Sequence, residues 1–311
     1  MKLKKLLAAV AAGLMMSSLA ACGSTSGSSG SSETTSADTS ADTAADTAAA
    51  DTSAAEETAA AEGEDNSDKI LKVGVKDAVI GFGYKDPLSG EYSGLEIELA
   101  KKIADSLGYK DVEFTTVTAA TRTELLDSGD LDCVLATFTI TDERKKSWDF
   151  STAYYTDAVT VLVETADGIT NIDGLVGKKI GVSTGSTSAY ALVKAMSEKG
   201  LLGDYTIPES SADFDISSFS EGGTSFEQFG DYPAISNAMT AGTVDAFCVD
   251  KSILATYKSD DRQYIEDTFS PQEYGVATKK DSPLSAPIDE LIQTWLSDGT
   301  IDGLITEYGL N

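Results

Sequence analysis

A nine-residue phrase occurs twice in this chain, and the repetition constrains the architecture more than any other feature. Gly129-Asp130-Leu131-Asp132-Cys133-Val134-Leu135-Ala136-Thr137 is echoed by Gly242-Thr243-Val244-Asp245-Ala246-Phe247-Cys248-Val249-Asp250. Each copy has a turn glycine, an aspartate three residues later, four apolar residues and then one polar residue. Four consecutive apolar residues bounded by turn signals read as a strand buried on both faces of a parallel sheet. A shorter echo pairs Lys72-Val73-Gly74-Val75 with Lys179-Ile180-Gly181-Val182. Two echoes in the same order predict two similarly built α/β lobes. Ligands of open parallel sheets sit beyond the carboxyl ends of the strands. Thr137 and Asp250, which end the two phrases, are therefore expected to face each other across a cleft.

The chain between and after the phrases fits this plan. Leu71–Lys76 reads as a first strand. The helix that begins at Gly94 places Leu95, Leu99, Ile103 and Leu107 on one face and stops at Gly108. A strand near Val112–Phe114 and a short helix over Thr121–Ser128 follow. After the first phrase come the hydroxyls of Thr137 and Thr139, with Phe138 between them. Thr141 is placed to N-cap a short helix carrying Asp142 and Glu143 in its first turn and Arg144 behind. Hydroxyls, free backbone N–H groups at a helix start and a guanidinium are the parts of a small carboxylate site. Extended crossings near Thr156–Val161 and Gln272–Thr278 predict a two-stranded hinge. Residues 69–157 with 276–311 are then one lobe and residues 158–275 the other. A helix over Ile288–Leu296 returns the chain to the first lobe. The polar, patternless stretch Gly203–Gly223 reads as a surface insertion.

The amino terminus lies outside this scheme. Residues 1–21 carry three lysines, an apolar run and then small residues, as a secretory signal does. The run ends in Leu19-Ala20-Ala21-Cys22, which resembles the lipobox of bacterial lipoproteins. That resemblance implies cleavage before Cys22, its acylation, and a mature chain held on the outer face of the cell membrane. Residues 22–68 are rich in Ser, Thr, Ala and acid without aromatics or bases, and are expected to form a disordered tether. The chain's formal net charge of −28 argues against nucleic acid as a partner. It contains no histidine, which removes His-based triads and His-containing metal sites. No metal or cofactor is expected. Cys133 and Cys248 sit in apolar strands, one per lobe, and read as buried hydrophobes.

Three blocks carry a family resemblance: Gly94-Leu95-Glu96-Ile97-Glu98-Leu99-Ala100, Ala136 through Arg144, and Val244 through Asp250. Together they resemble the polar amino acid solute-binding proteins of ABC importers (solute-binding family 3), in that family's order and over nearly all of residues 69–311. The resemblance implies the two-lobed type II periplasmic-binding-protein-like fold, two parallel or mixed sheets flanked by helices. It also implies a monomer that closes on one amino acid and delivers it to an ABC permease, and no enzyme. By the same resemblance Arg144, Thr139 and the Thr137–Phe138 region hold the ligand α-carboxylate, Ser186 and Thr187 add hydrogen bonds, and Asp250 holds the α-ammonium. The loop Val79–Tyr84 supplies an aromatic wall in the family. Phe82 is the candidate here, and the sequence leaves open which ring stacks on the ligand. Gly74–Asp77, Thr121-Arg122 and Asp245–Leu254 are similar to the aspartate/glutamate-binding branch, which makes Lys76 and Arg122 candidates for a side-chain carboxylate. Of the three arginines, Arg122, Arg144 and Arg262, two flank the same cleft strand. The alternatives are another polar amino acid such as glutamine or cystine, a related cleft dehydratase or lyase, and a sensory or adhesive role.

Overall fold

A computed structural model describes residues 65–311. The expected signal segment, the lipidation site Cys22 and the tether up to residue 64 lie outside the described residues. The end of the expected tether is already ordered: Asn66 donates from its side-chain amide to the Leu107 carbonyl at 3.0 Å.

From its start the chain forms β1 (Ile70–Val75), a small antiparallel meander of β2 (Ala78–Val79), β3 (Gly83–Lys85) and β4 (Tyr92–Ser93), and helix α1 (Leu95–Ser106). Then come β5 (Asp111–Thr116), α2 (Thr121–Ser128), β6 (Cys133–Leu135), the single turn α3 (Asp142–Lys145) and β7 (Trp148–Phe150). A long strand, β8 (Tyr155–Glu164), carries the chain into a second sheet with β9 (Lys179–Ser183), α4 (Ser188–Glu198), β10 (Ser225–Phe229), α5 (Tyr232–Thr240), β11 (Ala246–Asp250), α6 (Lys251–Ala255) and β12 (Arg262–Tyr264). The return runs through β13 (Phe269–Tyr274) to β14 (Ala277–Lys279), and α7 (Ser285–Ser297) and α8 (Thr300–Glu307) end the fold.

The first sheet has the order β5-β1-β6-β14-β7 and the second β10-β9-β11-β8-β12, with β13 added to β8. The repeated phrases become β6 and β11, central strands with every residue buried, as an apolar run between two helical layers requires. β1 pairs parallel to both β5 and β6, and β9 pairs parallel to β10 and β11. The return strands β14 and β8 run antiparallel, so both sheets are mixed. The two crossings between sheets lie side by side: β8 and β13 pair antiparallel from Phe269↔Val159 to Tyr274↔Tyr155. α7 and α8 pack against α1 on the first lobe.

The apolar face read for α1 is the buried one, with Leu95, Leu99 and Ile103 in the core. The 203–223 stretch is more organised than its polarity suggests. Its rings pack on the second lobe as an aromatic cluster, Phe214 lying 5.9 Å from Tyr190 and Phe219 5.4 Å from Phe226 between centroids. Aromatic residues spaced too irregularly to show a period made this segment look patternless. Cys133 and Cys248 are buried and unbonded to each other.

Candidate functional site

The site starts where β6 ends. Thr137 adopts a left-handed backbone with φ 45°, a costly conformation for a β-branched residue. Two buried charged side chains hold it there. Glu96 of α1 accepts the Thr137 N–H at 2.5 Å, and Arg122 of α2 donates from Nη1 to the Ala136 carbonyl at 2.9 Å. The kinked strand end turns Thr137 and Thr139 toward the second lobe and feeds α3, whose cap Thr141 accepts the Arg144 N–H at 3.1 Å.

Arg144 then reaches across. Its Nη1 donates to the Thr139 carbonyl at 2.8 Å, and its Nη2 to the Gly185 carbonyl of the other lobe at 3.2 Å. Phe138, fully buried, lies beneath both arginines, with the Arg122 and Arg144 guanidinium carbons 3.7 and 4.8 Å from its ring centroid. Such stacking orients a guanidinium while leaving its edge free for a ligand. Burial lowers both arginines, Arg122 to about 10 and Arg144, also repelled by Arg122, to about 9. Both stay charged at neutral pH, in a setting that favours an anion.

The facing wall belongs to the second lobe. β9 ends in a turn at Gly185 (φ 79°), where a Cβ would sit 2.8 Å from the Ala119 carbonyl oxygen; only glycine lets the lobes approach this closely. Ser186, Thr187 and Ser188, at the amino end of α4, follow and line the same cavity as the arginines. The hydroxyl oxygens of Ser186 and Ser188 and Nε of Arg122 are buried without a partner. Asp250 closes the far side. It is 5% exposed, and its Oδ2 accepts the Tyr274 hydroxyl at 2.5 Å. Burial pushes its carboxyl up to about 7, the Tyr274 hydrogen bond opposing and the nearby Asp157 adding to the rise.

Seven of the ten predicted ligand residues line one interlobe cavity: Arg122, Thr137, Thr139, Arg144, Ser186, Thr187 and Asp250. Closed as described, it encloses only about 10 Å³, room for about one water. Phe138 is the platform under the arginines. Lys76 lies in an adjoining recess with Tyr232, its ammonium 5.2 Å from that ring's centroid. Burial, with repulsion from Arg122, lowers Lys76 to about 7.

Phe82 is placed differently from its predicted role as a ligand wall. It is fully buried, edge-on to Tyr155 and Tyr274 at 4.9 and 5.7 Å. The reason is the close approach at Gly94 (φ 127°), where a Cβ would sit 2.2 Å from the Phe82 carbonyl oxygen and which folds the loop back onto the core. The remaining arginine, Arg262, is spent elsewhere on Glu164 at 2.9 Å. Five participants escaped the sequence reading, the Asp250 partner Tyr274 among them. Tyr232 and Ser188 line the cavity. Gln272 accepts both the Thr139 and Thr187 hydroxyls, at 2.8 and 2.9 Å. Glu96 is fully buried and bonded by Tyr154 at 2.6 Å. A signal existed for Gln272 and Tyr274: residues two apart on an extended strand share a face. For Glu96 the signal was an acid between Leu95 and Ile97.

Comparison with known proteins now adds to the geometry. The model of bacterial extracellular solute-binding proteins, family 3, matches residues 71–311. The chain belongs to this family. Among relatives, the "ABC transporter glutamine-binding protein GlnH" of Bacillus subtilis (strain 168) is 32% identical over 249 residues, covering 78% of this chain and 82% of that protein. A "Glutamine-binding protein" of Geobacillus stearothermophilus is 30% identical, covering 73% and 81%. Among solved structures, an ancestral arginine-binding protein bound to arginine matches with a TM-score of 0.63 at 29% identity, covering 77% of this chain and 97% of that one. This solute-binding protein therefore has the type II periplasmic-binding-protein fold that the family resemblance implied, built on the two α/β lobes expected from its repeated strands.

Proposed function

We propose that this extracellular solute-binding protein captures an acidic α-amino acid, aspartate or glutamate, between its lobes and presents it to an ABC permease. The reading rests on one arrangement: two arginines, Arg122 buried and Arg144 half-buried, on one wall of the cavity and a buried Asp250 on the other. Arg144, with the α4 amino end and the Ser186 and Ser188 hydroxyls, suits the α-carboxylate. Asp250 suits the α-ammonium. Arg122, and Lys76 beyond it, supply cationic charge for a second carboxylate. Each charged hydrogen bond is worth about 1.5–3 kcal/mol, and several of them supply the ~8 kcal/mol that micromolar affinity needs. The arrangement favours binding over catalysis, because its ionisable groups neutralise a zwitterion's ends instead of forming an acid–base pair across a scissile bond. We further read the protein as a monomer anchored through Cys22 to the outer face of the cell membrane.

A second reading is glutamine, the ligand in the names of the two relatives cited. Calorimetric titration of the mature protein with the twenty amino acids separates the two. Aspartate or glutamate is expected to bind in the micromolar range or tighter. Arg122→Ala is expected to weaken the acidic ligands by about tenfold or more relative to glutamine, as the loss of one charged contact implies. Tight glutamine binding with silent acidic ligands overturns the acidic reading and leaves the family assignment standing.

A further inference from the structure

Both hinge strands send a side chain to the back of Asp250. Tyr274 of β13 is fully buried, stacks on Tyr155 of β8 at 5.9 Å, and donates its hydroxyl to Asp250 Oδ2. The same hydroxyl lies 3.3 Å from Oδ2 of Asp157 on β8. Asp157 in turn accepts the Ser252 N–H at 3.0 Å and bonds the Ser252 hydroxyl, which fixes the start of α6 immediately after Asp250. Two residues along β13 from Tyr274, and opposite Asp157 in register, Gln272 holds one hydroxyl from each lobe. The hinge strands thus hold lining residues of the cavity, Asp250 through Tyr274 and Thr139 and Thr187 through Gln272, although neither strand contributes a residue to the lining itself.

We propose that Tyr274 and Asp157 are positioning residues that ready Asp250 for the ligand's ammonium group and make that readiness depend on the hinge pairing between β8 and β13. The inference rests on the assignment of Asp250 to the ammonium. The physical basis is that the two act on Asp250 in opposite senses. The Tyr274 hydroxyl stabilises the carboxylate by hydrogen bonding, and the Asp157 charge destabilises it by repulsion. The other charged or titratable groups facing Asp250 are Arg122 from α2, Arg144 from α3, Tyr232 from α5 and Cys248 on its own strand. Lys76, at the end of β1, also senses it. The arginines stay charged, and burial holds the tyrosine and the thiol neutral, over the range where Asp250 titrates. Lys76 titrates in the same range and is present in every variant compared, so it does not account for a difference between them. Lobe opening that slid β13 along β8 would move both partners together and change the hold on Asp250.

The test is the pH dependence of affinity for L-glutamate and L-glutamine, measured by calorimetry from pH 5 to 8 on the mature protein, Tyr274→Phe, Asp157→Asn and Asp250→Asn. In the wild type, affinity falls as pH drops below about 7, because a proton competes for Asp250. Tyr274→Phe removes a stabilising hydrogen bond and moves that fall to higher pH. Asp157→Asn removes a repelling charge and moves it to lower pH. At pH 6 the two variants are expected to differ in affinity on the order of tenfold. A role confined to packing would weaken both without moving their profiles apart. Profiles that stay together, with Asp250→Asn binding lost, overturn this inference alone. Asp250→Asn binding as tightly as the wild type overturns the ammonium assignment on which it rests.

Discussion

Arg144→Ala is expected to remove measurable binding of every amino acid while leaving the protein folded. The guanidinium spans the cavity, bonded to Thr139 of one lobe and Gly185 of the other. A ligand carboxylate placed there gains paired charge-assisted hydrogen bonds in a site with little water, the setting in which such bonds are strongest. Deleting the side chain loses two of them, about 3–6 kcal/mol together, or ~100-fold and more in affinity. It also removes one interlobe clasp. Arg144→Lys should rescue little, because a point ammonium cannot bond both carbonyls and a carboxylate as the planar fork does. Folding is spared because α3 is one partly exposed turn with no buried residue. Unchanged melting with abolished titration heat is the expected pair of results.

Asp250→Asn should produce the second large loss, on the order of 100-fold at pH 8, again across all amino acids. Asparagine keeps the shape and an acceptor for Tyr274, so the change isolates charge. An ammonium buried opposite a neutral amide loses a paired charge in a medium where water cannot replace it. The sign of the pH effect follows from the raised carboxyl. Above about 7 the wild-type site is ionised and binds; as pH falls through 7 a proton occupies it and affinity drops. The asparagine variant has no such proton to bind, so its residual affinity should lose this dependence. The two affinities should therefore converge toward pH 5, which a titration series in matched buffers reads directly.

The amount of this site that the sequence revealed follows from how each residue is signalled. Thr137, Thr139 and Asp250 were legible because they sit at or just past the ends of apolar strands, where the period of the pattern breaks, and Arg144 because it follows the Thr141 N-cap. The two sheets were legible for the same reason, since β6 and β11 repeat a phrase. Phe82 was misjudged because a ring in a short loop carries no sign of which way it points. Its burial depends on a backbone approach at Gly94 that only coordinates show. Gln272 and Tyr274 were placed in a hinge strand, yet their alternation was not carried through to the cavity side. Glu96 and Arg122 form a buried network around a strained Thr137. Such networks join residues from separate helices, α1 and α2, and while each residue carries a local signal, no local pattern announces that they meet.

The central claim is that a zwitterion lies between Arg144 and Asp250. The measurement that tests it most directly is a crystal structure of the mature protein grown with the amino acid that titrates most tightly. The account predicts the ligand α-carboxylate within hydrogen-bonding distance of the Arg144 guanidinium and the α-ammonium on the Asp250 carboxylate, with the lobes closed around both. A bound ligand with its two ends held by other residues, and Arg144 and Asp250 turned away from a shared interlobe space, would contradict it.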